Sequence, residues 1–236
     1  MPPRRAPGGS QPATQAQHGN DGAGPSGSAS TFPDYVTFTV GQAIISGGCL
    51  EEVEVKAMVR RLAQRNSDDA YMPVLSKLQR DTEFLGLSIE RIKFPWNNTW
   101  YVCLVGKEKD DASKQLGSKY TADQVQYYRS VVEALCEAEP AENRLLASVS
   151  QIRLKNVDVQ RQSGATQGAS QSAAKARKLS QLDKESVLKA FAHDGWLYEP
   201  ERGYYTLGPR ALGELKDWLL SLLPHEVVEK LQADYM

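Results

Sequence analysis

The sequence is short of cysteine and histidine, has no long apolar run and carries almost no net charge, and each shortage excludes something. Its three cysteines, Cys49, Cys103 and Cys136, form an odd, widely spaced set within apolar stretches. A disulfide framework or a zinc site calls for pairs such as C-x-x-C with histidines nearby, so the three are read as small buried residues. His18, His193 and His225 lie far from the cysteines in sequence, and a metal site would have to be assembled from scattered ligands. No stretch approaches the roughly 18 to 20 consecutive apolar residues of a membrane span, and Met1–Ser30 lacks the apolar core of a secretory signal. The default compartment is the cytosol or nucleus. With 28 Lys and Arg against 29 Asp and Glu, the formal net charge is -1, so any affinity for nucleic acid must come from local patches and not from the sum.

Catalytic signatures are equally scarce. Gly203-x-x-x-x-Gly208-Pro209-Arg210 has phosphate-loop spacing but lacks the Lys and Ser/Thr that hold phosphate and magnesium, and Pro209 removes an amide donor. His225-Glu226-Val227-Val228-Glu229 is half of a zinc-protease helix with a glutamate where the second histidine belongs. There is no nucleophile elbow, dinucleotide fingerprint or paired Cys ligand set. These residues point to no active site, no cofactor and no small-molecule substrate.

What is present is enough to fold: 236 residues, 41% hydrophobic and 24% charged, an ordinary globular composition. Met1–Ser30 is built from Pro, Gly, Ser, Ala and Gln and cannot bury enough surface to offset ordering, so residues 1–30 are read as a disordered tail. A polar stretch over residues 156–177 is read as a linker. The rest divides into domains over 31–113 and 114–223, followed by an extension over 224–236.

In the first domain Tyr35, Phe38, Val40, Ile44 and Ile45 form an apolar helical set ended by Gly47-Gly48. Glu51-Glu52 opens a second helix with Val55, Met58, Val59 and Leu62 on one face and Lys56, Arg60, Arg61 and Arg65 on the other. Asn66-Ser67-Asp68-Asp69 offers a cap for a third, carrying Tyr71, Val74, Leu75, Leu78 and Leu85, with Pro73 in its first turn. Two strands follow, from Leu87 to Phe94 and from Trp100 to Val105, around the turn Pro95-Trp96-Asn97-Asn98-Thr99. Three helices and a hairpin make a winged helix, a helix-turn-helix variant.

The second domain repeats the pattern. Thr121 and Gln124 have capping-box spacing ahead of Val125, Tyr128, Val131, Val132 and Leu135, and Leu145, Leu146, Val149, Ile152 and Leu154 predict another helix. Ser180 starts a third, closed by Gly195. Trp196-Leu197-Tyr198 and Tyr204-Tyr205-Thr206-Leu207 are strands, and Pro209 begins a helix through Leu222, resumed after Pro224 from His225 to Leu231. The expected fold is mainly α with small β-hairpins: tandem winged-helix domains behind a disordered tail.

Basic and aromatic residues around the second wing, Lys189, Arg202, Tyr204 and Arg210, are the candidate DNA contacts, with Arg153, Lys155, Arg161, Lys175, Arg177 and Lys178 flanking the linker. Glu185, Asp194, Glu199 and Glu201 are interleaved with them, as on an ordinary solvated face. Winged helices bind proteins as readily as they read DNA. Trp196 and Trp218 are read as core anchors.

Leu116-Gly117-Ser118-Lys119-Tyr120-Thr121, Gly195-Trp196-Leu197 and the run from Tyr205 to Leu215 (Tyr-Thr-Leu-Gly-Pro-Arg-Ala-Leu-Gly-Glu-Leu) together resemble the non-structural maintenance of chromosomes element 1 family, from about Tyr35 to Pro224. The resemblance implies a nuclear subunit of the Smc five-six complex, paired with a MAGE-like subunit and a kleisin, acting in DNA repair, recombination and the response to DNA damage. Members usually continue into a C-terminal RING-like domain with ubiquitin-ligase activity, which belongs to the ubiquitin-like conjugation pathway. A RING clamps two zinc ions with eight Cys/His ligands, and this sequence has no cysteine after Pro224. Zinc is therefore expected only if such a domain follows, and the chain by itself is expected to be inactive as a ligase. The alternative is a stand-alone winged-helix regulator that binds DNA.

Overall fold

Gly48 sets the geometry of the first half. In the computed structural model, which describes residues 32–106, 119–158 and 179–235, helix α1 (Asp34–Gly47) stops where Gly48 takes φ 70° and returns its N–H to the Ile44 carbonyl. Glycine adopts that conformation at little steric cost. The chain passes at once into strand β1 (Cys49–Glu51), then α2 (Glu52–Ala63), α3 (Tyr71–Glu83), β2 (Leu87–Lys93) and β3 (Trp100–Gly106). Strand β3 lies between β1 and β2, antiparallel to both, with Cys49 opposite Cys103 and Ile92 opposite Tyr101. Helix, strand, helix, helix and a closing hairpin form a winged helix.

The second half repeats this order with α4 (Ala122–Cys136), β4 (Val149–Ser150), α5 (Gln151–Lys155), α6 (Gln181–His193), β5 (Leu197–Glu201) and β6 (Tyr204–Leu207). Strand β6 is again central, between β4 and β5. Both predicted caps form: Thr121 with Gln124, and Ser180 with Asp183, each close a reciprocal capping box that satisfies otherwise orphaned helix amides. Three short helices follow, α7 (Pro209–Glu214), α8 (Lys216–Leu222) and α9 (His225–Asp234). No described helix is long and apolar enough to cross a membrane.

Four local expectations need correction. The hairpins are three-stranded sheets, because β1 and β4 are too short to show an alternating pattern. Helix α3 has Ala70 at its N-cap with no side-chain bond, and the Asp68 carbonyl accepts from the Tyr71 N–H instead. The helix expected across Leu145–Leu154 is replaced by β4 and the short α5, since Val149 pairs with Tyr205 in the sheet. The helix from Pro209 breaks at Leu215, whose φ is -109°: α7 packs on β2, β3 and β5, whereas α8 packs on α4, and one straight rod cannot serve both. Cys103 and Cys136 are buried as expected, whereas the pairing of Cys49 with Cys103 departs from expectation. Cys49 and Cys103 face each other across β1 and β3, 4.1 Å apart at Cα, and are joined by a disulfide; Cys136 is a buried free thiol, and burial pushes its pKa up to about 12.

Two cores form, and the first sheet contributes to both. Val36, Val40 and Ile44 of α1, Val55 and Val59 of α2, and Tyr71, Val74, Leu75 and Leu78 of α3 close on Val102 of β3. The opposite face of the same hairpin, Ile92, Phe94, Tyr101, Cys103 and Val105, joins Tyr128, Phe191, Trp196, Leu207 and Leu212 of the second half. A strand covered on both faces should read as a continuous apolar run, and Trp100-Tyr101-Val102-Cys103-Leu104-Val105 does. Residues Thr31–Met236 accordingly group as one compact unit. The tail Met1–Ser30, most of the linker, the expected boundary at 113/114, and Leu116, Gly117, Ser118, Arg161, Lys175, Arg177 and Lys178 lie outside the described residues.

Candidate interaction surfaces

The described parts of the sequence runs singled out above meet in one place, the joint between the halves. Asp194, which precedes Gly195, accepts hydrogen bonds from the Tyr120 hydroxyl and from Lys119 Nζ at 2.7 Å, with His193 Nδ1 at 3.1 Å. Burial alone would raise the Asp194 pKa, but the bonds from Lys119, Tyr120 and His193 outweigh it and hold the carboxyl below its usual range. Gly195 takes φ 78° and turns Trp196 inward, where the indole is 1% exposed. The Tyr128 hydroxyl donates to the Trp196 carbonyl at 3.2 Å.

Helix α7 completes the joint. Gly208 lies against the backbone of Gly195, where a side chain would overlap, and Gly213 sits so close to β2 and β3 that an added Cβ would stand 2.7 Å from Ile92. Arg210 lies with its guanidinium 4.3 Å from the Trp196 ring centroid, in ion-pair contact with Glu214, and packs against Gly48 at the end of α1. Burial raises the Glu214 pKa and Arg210 opposes it. The first hairpin is held from other directions too. Arg144 stacks on Trp96 and donates to its carbonyl at 3.1 Å, Phe94 meets Tyr198 edge-on, and the Lys93 N–H donates to the Tyr235 carbonyl at 3.2 Å.

Of the four residues named as candidate DNA contacts, Arg210 is thus placed in the joint, and the other three lie elsewhere. Lys189 is exposed on α6 and pairs with Glu185 at 3.0 Å. Hydrogen bonds from Lys189 and Lys155 hold the Glu185 carboxyl below its usual range. Arg202 is exposed at the tip of the β5–β6 turn, and Tyr204 is half-exposed opposite Ser150. The Gly203 carbonyl accepts from the Gln151 N–H at 2.7 Å, which ties the start of α5 to the wing tip and brings exposed Ile152 and Arg153 to the same edge. Among the described residues no group of three or more His, Cys, Asp or Glu could hold a metal ion.

One surface escaped the sequence reading. Tyr35, Phe38 and Ile45 belong to the apolar set of α1, yet they are 50%, 68% and 52% exposed, while Val36, Val40 and Ile44 fill the core. The signal was present as apolar residues on more than one side of a single helix, a pattern that requires cover on two faces.

Comparison with known proteins agrees with this architecture. The family model described as the Nse1 non-SMC component of the SMC5-6 complex matches residues 40–215. No curated protein sequence matches the chain. A solved structure of an "Nse1-Nse3-Nse4 complex" contains a chain similar in fold, with a TM-score of 0.62 and 21% identity over 79% of this chain and 74% of that one.

Proposed function

Because the chain belongs to the family of the Nse1 non-SMC component of the SMC5-6 complex, we propose that it is an assembly subunit that docks a MAGE-like subunit through the outer face of α1 and, with it, a kleisin. The observation that carries this is the exposed row of Tyr35, Phe38 and Ile45 on a helix whose other face is already in the core. Apolar residues gathered on one exposed face mark protein interaction sites. The solved structure of similar fold is a complex of Nse1, Nse3 and Nse4, which supports a protein as the occupant. In this reading the rigid joint holds two winged helices in one orientation, and the complex acts in DNA repair and chromosome maintenance in the nucleus.

DNA association belongs to the second wing, where Arg202 and Tyr204 stand beside Arg153, with Lys189 on α6. A stand-alone regulator has less support, because Arg144 stacks on Trp96 and bonds its carbonyl, which ties the first wing to the second half. The test is size-exclusion chromatography of the full chain with a MAGE-like partner at micromolar concentration. Co-elution is expected for the native sequence and for Arg202→Ala, and loss of co-elution for Phe38→Asp with Ile45→Asp at an unchanged melting midpoint. A native chain that stays monomeric beside the partner would sink the proposal.

A further inference from the structure

The Cys49–Cys103 bond lies where three parts of the fold meet, and the assembly role above makes no use of it. Cys49 is the first residue of β1 and follows directly on Gly48, the stop of α1. The Gly48 carbonyl accepts from the Leu104 N–H at 3.1 Å, and the Arg210 guanidinium packs against Gly48 from α7. The disulfide thus cross-links the end of α1 to the central strand of the first sheet, beside a β1 ladder of only three residues. Its two sulfurs are unequally placed. Cys103 is 0% exposed, whereas Cys49 is only partly buried. Cys103 Sγ also lies 3.9 Å from the Pro209 carbonyl, within reach of a weak S–H donor, so a thiol at Cys103 has an acceptor in place.

A purely structural cross-link makes no use of that acceptor. Structural disulfides also belong to oxidising compartments; where thiols are kept reduced, the disulfides that form are usually transient and redox-sensing. This second step rests on the nuclear setting proposed above. We infer that Cys49 and Cys103 form a reversible thiol–disulfide latch, which fixes the α1–β1 corner to β3 when closed and releases it when open, with glutathione-class thiols as co-reactant. Access decides which sulfur reacts. The thiolate of one glutathione attacks Cys49 Sγ, the protein S–S bond breaks, and its electron pair leaves on Cys103, which takes up a proton beside the Pro209 carbonyl. A second glutathione thiolate attacks the glutathione sulfur of the mixed disulfide and frees Cys49, which takes up the second proton. Two glutathiones thereby become one glutathione disulfide and the protein gains two thiols; the reverse sequence closes the latch. Opening leaves the β1–β3 hydrogen bonds in place but removes the restraint on their breaking, so residues 48–51 separate from β3 more readily.

The experiment equilibrates the full native chain in glutathione buffers, from the reduced ratio of the cytosol to the oxidised ratio of the secretory pathway, then quenches with acid and alkylates under denaturing conditions. Peptide mapping should show Cys49 and Cys103 passing together from alkylated to bonded within that span, with Cys136 alkylated throughout. Hydrogen exchange of the two end states should show the Leu104 amide exchanging about tenfold faster when the bond is open, equivalent to about 1.4 kcal/mol of easier opening, while the amides of α4 are unmoved. Single variants identify the entry sulfur: glutathione disulfide should form a mixed disulfide at Cys49 in Cys103→Ser and none at Cys103 in Cys49→Ser. Four results would overturn the inference. A bond still closed at the most reduced ratio makes it a structural cross-link, and thiols still open at the most oxidised ratio make it an ordinary buried pair. Equal Leu104 exchange in the two states removes the latch, and glutathione on Cys103 of the folded chain reverses the assigned roles. Every readout uses the chain without a partner, so failure here leaves the α1 docking standing, and failure of that docking leaves the latch.

Discussion

Replacing Trp196 with alanine tests the joint most directly. The indole is 1% exposed, lies under the Arg210 guanidinium at 4.3 Å and meets the Tyr128 ring edge-on at 5.9 Å. Removing a buried Trp costs about 3–5 kcal/mol through lost transfer energy and the cavity left behind. The loss of the ring face beneath Arg210 adds about 0.5–2 kcal/mol, for a total of about 3.5–7 kcal/mol. In a unit of this size each kcal/mol moves the midpoint by roughly 2–4 °C, so the expected fall is about 7–28 °C. Scanning calorimetry of the full chain is the assay, with Trp218→Ala as comparison, because Trp218 is only partly buried at the edge of the same core and should cost less than half as much. Both halves share the core beneath the first hairpin, so a single cooperative transition is expected in each protein. A shift below about 3 °C, or two transitions with the first half unmoved by Trp196→Ala, would refute the reasoning.

Two further predictions concern covalent and electrostatic links. The Cys49–Cys103 bond spans a sequence separation of 54, and loop-closure entropy for such a span corresponds to about 4 kcal/mol; excess reductant should lower the melting midpoint by roughly 8–16 °C. Alkylation of the denatured, unreduced chain should label Cys136 alone, and labelling of all three cysteines would contradict the bond. For Asp194, the folded carboxyl titrates below its unfolded value, so its contribution is present above about pH 4 and is lost as the pH falls through the depressed folded value. Asp194→Asn should therefore flatten the acid limb of the stability profile, and an identical acid limb in the variant and the native protein would count against the Lys119–Tyr120–Asp194 cluster.

Local signals determined most of the elements, but not β1, β4 or the break at Leu215. Thr121 and Ser180 cap helices through contacts three residues away, Gly48 and Gly195 end helices with positive φ, and Trp100 to Val105 reads as a strand because β-branched and aromatic residues alternate between two covered faces. The repeated order of helices and strands, and with it the tandem winged-helix class, was legible for the same reason. The family resemblance was also legible, carried by short runs whose roles were hidden.

Tertiary structure alone decided what those runs do. Nothing within Lys119-Tyr120 indicates that both reach Asp194, and nothing in Gly208-Pro209-Arg210 indicates that the arginine will lie over Trp196 and against Gly48, because these contacts join residues far apart in the chain. Cys49 and Cys103 could be paired only once β1 was seen to lie beside β3. The exposure of Tyr35, Phe38 and Ile45 likewise depends on which side of α1 meets α2 and α3. Periodicity identifies apolar residues from the local chain, but which of them remain uncovered depends on how distant segments pack, and the exposed row on α1 is the remainder of that packing.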